Sequence, residues 1–341
     1  MKGLIYRGPG QMAYEEAADV RPAPGEIKIH PRAVGICGSD IHGYLGITGR
    51  RTPPMIMGHE FSGVVEELGD GVSGFRPGDR VTAYPMFFCE ECSPCREGNV
   101  HLCVNRRFLG VLEVNGAMAD SVSVPAKCCF KLADGVSFET ASLMEPLAVA
   151  HRAVSRAGRE RIAGKNVFLV GTGTIGLLAL ACAKSFNPER LIVSDLSDAR
   201  LRLAERMGAT RVINPSRGEA AKAVRELTGG LGADTAFEAV GASPTVQQAM
   251  SGLRQGGTAV WIGNNKPMIE VNMQEIVTRE LTILGTYLYS FEEFKLVVDL
   301  LNSGKLDVSP IISKTAPMAE GPAMFAKMAK DPGDWIKVVL V

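Results

Sequence analysis

"NVFLVGTGTIGLLALACA", residues 166 to 183, decides the fold. A short apolar run meets three glycines spaced G-x-G-x-x-G, at Gly171, Gly173 and Gly176, and then runs on as a helical stretch to Phe186. The competing reading is a membrane span. An Asn, two Thr and three turn glycines inside the window suit a strand-to-helix passage better. In that passage Gly171 permits the tight turn and Gly173 lets a pyrophosphate approach the backbone. Gly176 allows close helix-to-strand packing, and the phosphates meet the positive helix N-terminus.

Working outward, "RLIVSD" ends in Asp195, nineteen residues beyond Gly176, where an acid that bonds ribose hydroxyls is expected. A carboxylate there repels a 2′-phosphate, so NAD is favoured over NADP; a plain helix N-cap is the alternative reading of Asp195. Arg200 reads either as an adenine neighbour or as a solvated helix charge. Thr174 and Ile175 inside the glycine motif, and Ile262 closing "GTAVWIG", complete the expected cofactor-binding set. Further strand-like and helical segments alternate: "RVIN", "EAAKAVRELTG", "ADTAFEAVG" and "TVQQAMSGL". Such alternation predicts βαβ units and a doubly wound parallel sheet.

Residues 1 to about 145 have a different texture. "GEIKIHPRAVGI", "EFSGVVEELG", "GDRVTAY" and "MADSVSVPA" are short apolar runs broken by turn signals, which predict a β-rich, barrel-like domain with long loops. The tail carries an amphipathic helix, "SFEEFKLVVDLLNSG", and a closing strand, "WIKVVLV". At 341 residues the chain suggests about two domains. Its 46% hydrophobic and 22% charged fractions are those of a soluble globular protein, and 37 basic against 37 acidic residues leave no global field for nucleic acid or an acidic membrane. "MKGLIYRGPG" lacks the apolar run of a signal peptide, so a reducing cytoplasm is expected, where clustered thiols bind metal.

Two metal constellations follow. "CEECSPCREGNVHLC" places Cys89, Cys92, Cys95 and Cys103 as C-x2-C-x2-C-x7-C. Four thiolates close a tetrahedral zinc site and leave no position for substrate, so this lobe reads as structural. The second set is spread out: Cys37, Ser39, Asp40 and His42 in "VGICGSDIHGY", His59 and Glu60 in "MGHEFSG", Glu145 in "SLMEPLAVAHRAV". One thiolate, one imidazole and one or two carboxylates would leave zinc an open corner, as catalysis requires, but spacing alone does not join residues so far apart.

The whole chain resembles the zinc-dependent medium-chain dehydrogenases, the alcohol, polyol and threonine dehydrogenase superfamily. The matching pieces are "GICGSDIH", "GHEFSGVVEELGDGV", "GDRV", the four-cysteine lobe, "EPLAVAHRAV" and "GTGTIG" with "SDLSDARL", in the family's order. The resemblance implies an α/β architecture: a GroES-like catalytic domain over 1–148 with its zinc lobe at about 86–106, an inserted Rossmann domain over 149–286, and a return to the catalytic domain over 287–341. It implies catalytic zinc on Cys37 and His59, with Glu60 a ligand or one that exchanges with water, and Asp40 orienting His59. Glu145 stands where the polyol branch has a glutamate that contacts zinc directly or through water. The implied activity is oxidation of a secondary alcohol (polyol, sugar acid or diol) to a ketone, with hydride passing to NAD and two Zn2+ per chain. The proton leaves by Ser39 and His42 or by water and Glu145. Tyr44, Tyr287 and Tyr289 read as pocket lining or as packing. Leu288 stands near where sorbitol-type enzymes carry an arginine, which argues against sorbitol. Threonine-like amino-alcohol oxidation, and a non-catalytic zinc protein of the same fold, are the alternatives. A homodimer or homotetramer is expected.

Overall fold

The computed structural model describes residues 1–341, which divide into two compact units, Met1–Glu145 with Ser290–Val341, and Pro146–Tyr289. The first unit is built on a seven-stranded sheet. Its centre is the strand Glu26–Gly35, paired antiparallel with Glu60–Leu68 on one side and with the late strand Lys337–Leu340 on the other. The alternating burial of Glu26–Gly35 places Ile27, Ile29 and Val34 in the core together with Phe61, Val81 and Val124. The register sets Gly35 opposite both Glu60 and Val339, so three strands meet where the chain leaves the sheet toward Cys37.

That crowding explains the glycine. A Cβ at Gly35 would overlap Glu60 Oε2. Past Ile36 the chain turns into the helix Gly38–Tyr44, for which Cys37 is the N-cap. The Cys37 N–H donates to Asp40 Oδ2 (3.2 Å), and the Ser39 N–H donates to Cys37 Sγ (3.5 Å), forming a capping box with a thiol in the usual serine position.

The second unit is a six-stranded, wholly parallel sheet. Its spatial order is Arg211–Ile213, Arg190–Ser194, Asn166–Val170, Ala233–Glu238, Leu253–Trp261, Thr282–Gly285. The order reverses between Asn166–Val170 and Ala233–Glu238, and ligands of such sheets bind outside the carboxyl ends of the strands at that switch point. The glycine-rich stretch from residue 166 is the strand Asn166–Val170, a turn and the helix Thr174–Lys184. No helix of the chain is long and apolar enough to cross a membrane.

Candidate active site

Cys37, His59 and Glu60 converge. One ligand atom from each lies within 4.8 Å of the others, although Cys37 caps a helix, Glu60 opens a strand and His59 immediately precedes it. His59 and Glu60 are nearly fully buried, at 4% and 1% exposed. His59 is steered from two sides. Its Nδ1 faces Asp40 Oδ1 at 3.6 Å, and the Phe108 ring meets it edge-on with centroids 5.4 Å apart. Phe108 ends the short strand Arg107–Phe108, which pairs with Met86–Phe87 at the base of the four-cysteine lobe.

The carboxylate of Glu60 has a partner that sequence reasoning missed. Lys337, 2% exposed, donates from Nζ to Glu60 Oε2 (2.6 Å) and to the Ile36 carbonyl (3.1 Å). Burial alone would lower the lysine pKa, but Glu60 and then Cys37 outweigh it and hold the value above the usual range. Burial first, and then the Glu60 charge, push the Cys37 thiol far up; Lys337 opposes them. A thiolate here therefore needs a further cation beside it. Glu60 Oε1 and His59 Nδ1 are buried without a hydrogen-bond partner. A half-buried sulfur beside a buried imidazole and an unused carboxylate oxygen fits zinc.

Glu145 is 6% exposed in the first turn of the helix Met144–Ala157 and stands outside this tight set, although its charge acts on both Cys37 and Lys337. Ser39 is exposed and His42 half-buried, both on the helix that Cys37 caps. Tyr44 is core: its hydroxyl donates to the Gly10 carbonyl (2.8 Å) and its ring packs 5.6 Å from Phe325. Tyr289 is also buried, and Tyr287 is 38% exposed.

In the lobe, the sulfurs of Cys89, Cys92, Cys95 and Cys103 all lie within 4.8 Å of one another, and none is in a disulfide. Cys92 caps the one-turn helix Ser93–Arg96, which carries Cys95 inward. Backbone N–H groups of Glu91 and Cys92 aimed at Cys89 lower its pKa to about 6, and those of Val104 and Cys95 lower that of Cys92. Burial pushes Cys95 up to about 12. Main-chain donors directed at sulfur stabilise thiolate, the form that binds metal.

In the parallel unit, Gly171 adopts φ +93°, and a Cβ at Gly176 would overlap the Gly171 carbonyl. A Cβ at Gly173 would meet nothing within 4 Å, so that N-cap glycine presents open backbone at the helix start. Asp195 Oδ2 accepts from the Thr172 N–H (2.7 Å) and Oδ1 from the Ser197 N–H (2.8 Å), which ties the acid to the glycine turn. Ser197, not Asp195, caps the helix Asp198–Met207 that carries Arg200. Ile262 follows the strand Leu253–Trp261, its N–H bonded to the carbonyl of fully buried Glu238 (2.8 Å).

Comparison with known proteins agrees with this picture. Residues 23–134 match the alcohol dehydrogenase GroES-like domain and residues 174–303 the zinc-binding dehydrogenase domain. The chain is 34% identical over 328 residues to 2-dehydro-3-deoxy-L-galactonate 5-dehydrogenase of Pseudoalteromonas atlantica, covering 96% of this chain and 95% of that one. It is 36% identical to L-idonate 5-dehydrogenase of Vitis vinifera, over 85% and 80% of the two chains. A zinc-binding dehydrogenase of Sinorhizobium meliloti, solved with NADP, superposes with a TM-score of 0.92 at 30% identity, over 100% of this chain and 98% of that one. The chain belongs to the zinc-dependent medium-chain dehydrogenases, in their polyol dehydrogenase branch. It is an NAD(P)-linked oxidoreductase of alcohol groups, with a GroES-like unit and a Rossmann unit and with zinc as its metal.

Proposed function

We propose that this enzyme oxidises one secondary hydroxyl of a polyol or sugar acid to a ketone, using NAD, and that Cys37, His59 and Glu60 hold the zinc at which it does so. The observation that carries the reading is the meeting of half-buried Cys37 with buried His59 and Glu60, with Glu60 Oε1 left unpartnered. The sugar-acid substrates named for the Pseudoalteromonas and Vitis relatives support the substrate class.

When bound, zinc supplies Lewis-acid polarisation of the substrate hydroxyl, and the nicotinamide supplies the acceptor for its carbon-bound hydrogen. The protein supplies placement and charge. Asp40 stands 3.6 Å from His59 Nδ1, so its carboxylate favours a proton on that nitrogen and Nε2 as the one offered to metal. Lys337 holds Glu60 by one oxygen and leaves the other for the cation. Glu145, close enough to act on Cys37 electrostatically, is placed to accept a proton from water, and Ser39 with His42 forms the alternative route outward. The open backbone at Gly173 receives the pyrophosphate, with Gly171, Thr174, Ile175 and Gly176 shaping the turn. Asp195, held beside the glycine turn by the Thr172 N–H, favours the unphosphorylated ribose. Arg200 and Ile262 complete the cofactor contacts. Zinc in the four-cysteine lobe is structural.

Five of the eight cysteines lie in the two proposed zinc sites, where they act as thiolates, and such clustered thiols favour a reducing, cytoplasmic setting. The short edge strand Thr282–Gly285, with Met273 and Val277 exposed on the preceding helix, supports a homodimer or homotetramer built through this sheet.

The test is a panel of sugar acids, polyols, diols and threonine with NAD and NADP, followed by nicotinamide absorbance on zinc-loaded protein. Reduction of NAD by a sugar acid or polyol is expected. Turnover of threonine alone would replace the substrate class, and no turnover with any secondary alcohol would overturn the reading.

A further inference from the structure

We infer that Arg51 is a positioning residue for the metal pocket, acting on His59 through Asp40. The inference rests on the reading of Cys37, His59 and Glu60 as zinc ligands. Arg51 is only 7% exposed, rare for an arginine unless its charge is matched. Its Nη2 donates to Asp40 Oδ1 (2.8 Å) and lies 3.5 Å from Ser39 Oγ, while Nη1 donates to the Arg50 carbonyl (3.3 Å). Asp40 is fully buried, and its other oxygen accepts from the Cys37 N–H. The carboxylate is thus gripped at both oxygens, by the guanidinium and by the backbone of one ligand. It is Oδ1, the oxygen Arg51 grips, that faces His59 Nδ1 at 3.6 Å.

The fold makes room for this clamp. A Cβ at Gly43 would overlap Arg51 Cγ, so a glycine on the helix that Cys37 caps seats the arginine stem. Charge gives a second reason. Asp40 and Glu60 are two buried carboxylates, and the Lys337 ammonium pairs with Glu60, not with Asp40. With Arg51 in place, Asp40 is neutralised where it stands and its geometry is fixed. Without it, a buried carboxylate is left uncompensated and the His59 ring loses its stop.

Outer partners of metal-binding histidines typically change metal affinity about 10–100-fold when removed. The experiment is zinc release from the intact, zinc-loaded enzyme to a chromophoric chelator. The phase belonging to the pocket is assigned as the one missing in Cys37→Ser. Arg51→Met should accelerate that phase about 10–100-fold and leave the four-cysteine phase unchanged. Arg51→Lys should restore part of the loss, because it returns the charge without the planar fork. Asp40→Asn should accelerate the same phase, and its combination with Arg51→Met should add little to either. Gly43→Ala, which keeps the charge and displaces the stem, gives the same reading should Arg51→Met fail to fold. An unchanged pocket phase in a folded variant, equal acceleration of both phases, or full additivity with Asp40→Asn would each overturn the inference. Wild-type enzyme with no pocket phase at all would overturn the zinc assignment itself, a result separable from the others.

Discussion

Lys337 and Glu60 form a buried ion pair, Nζ to Oε2 at 2.6 Å, with both side chains no more than 2% exposed. Such a pair adds little net stability against an apolar substitute, yet losing one partner typically costs about 3–5 kcal/mol because the other charge is stranded. Lys337→Met should therefore destabilise the zinc-free protein by about that amount, measured by denaturant unfolding. Zinc saturation should recover part of the loss, since a cation then stands near Glu60, and Glu60→Gln in the same chain should recover most of it. Equal stability of Lys337→Met and wild type without zinc would show that the lysine does not balance Glu60.

The two cysteine sites should fail differently. On the zinc assignment proposed above, Cys37→Ser should take turnover below detection while the lobe keeps its zinc and the assembly its size. Cys92→Ser opens a four-thiolate site, so the lobe zinc and thermal stability should fall together. Metal analysis with light scattering separates the outcomes. A stable, normally assembled Cys92→Ser enzyme without turnover would contradict the division into scaffold and catalyst.

In zinc-stripped protein, alkylation against pH should report the lobe's electrostatics. Backbone donors lower Cys89 to about 6, so its thiolate-dependent contribution to folding is complete above the ordinary thiol range and is lost as pH falls through about 6. Cys89 should thus alkylate with a midpoint near 6, while Cys95, pushed up to about 12 by burial, stays unreactive at neutral pH. Mass spectrometry after brief labelling reads both sites. Labelling of Cys95 before Cys89 would reverse the assignment.

Cofactor choice should follow Asp195. Asp195→Ala removes the repulsion toward a 2′-phosphate and also the acceptors of the Thr172 and Ser197 N–H groups. The ratio of kcat/KM for NAD over NADP should fall about tenfold or more, equivalent to about 1.4 kcal/mol. Asp195→Asn, which can still accept at one oxygen, should fall less in absolute NAD activity. An unchanged ratio would reassign the specificity to other residues, Arg200 first among them.

What could be read in the sequence was chemistry with a short period. The glycine turn at 171–176 and the four cysteines at 89–103 announce themselves because their atoms meet through local backbone geometry. Cys37, His59 and Glu60 needed a family resemblance, since a helix cap and a strand start come together only by sheet pairing at Gly35. Lys337, Arg51 and Phe108 were missed because nothing local marks them. A lysine in "WIKVVLV" looks like any alternate strand position until the strand is known to lie against Gly35. Tyr44 read as pocket lining or packing for a similar reason, and its hydrogen bond to Gly10 decides for packing.

The lysine that completes the pocket lies 277 residues beyond Glu60, with the whole nucleotide-binding insertion between them. During synthesis at about 5–20 residues per second, that interval lasts on the order of 10–60 s. Over that time Cys37, His59 and Glu60 stand on a nascent chain whose central sheet still lacks a strand. The counter-charge to Glu60 therefore arrives only with the last strand, so the pocket can take its final electrostatic form only once Lys337–Leu340 has been made and paired.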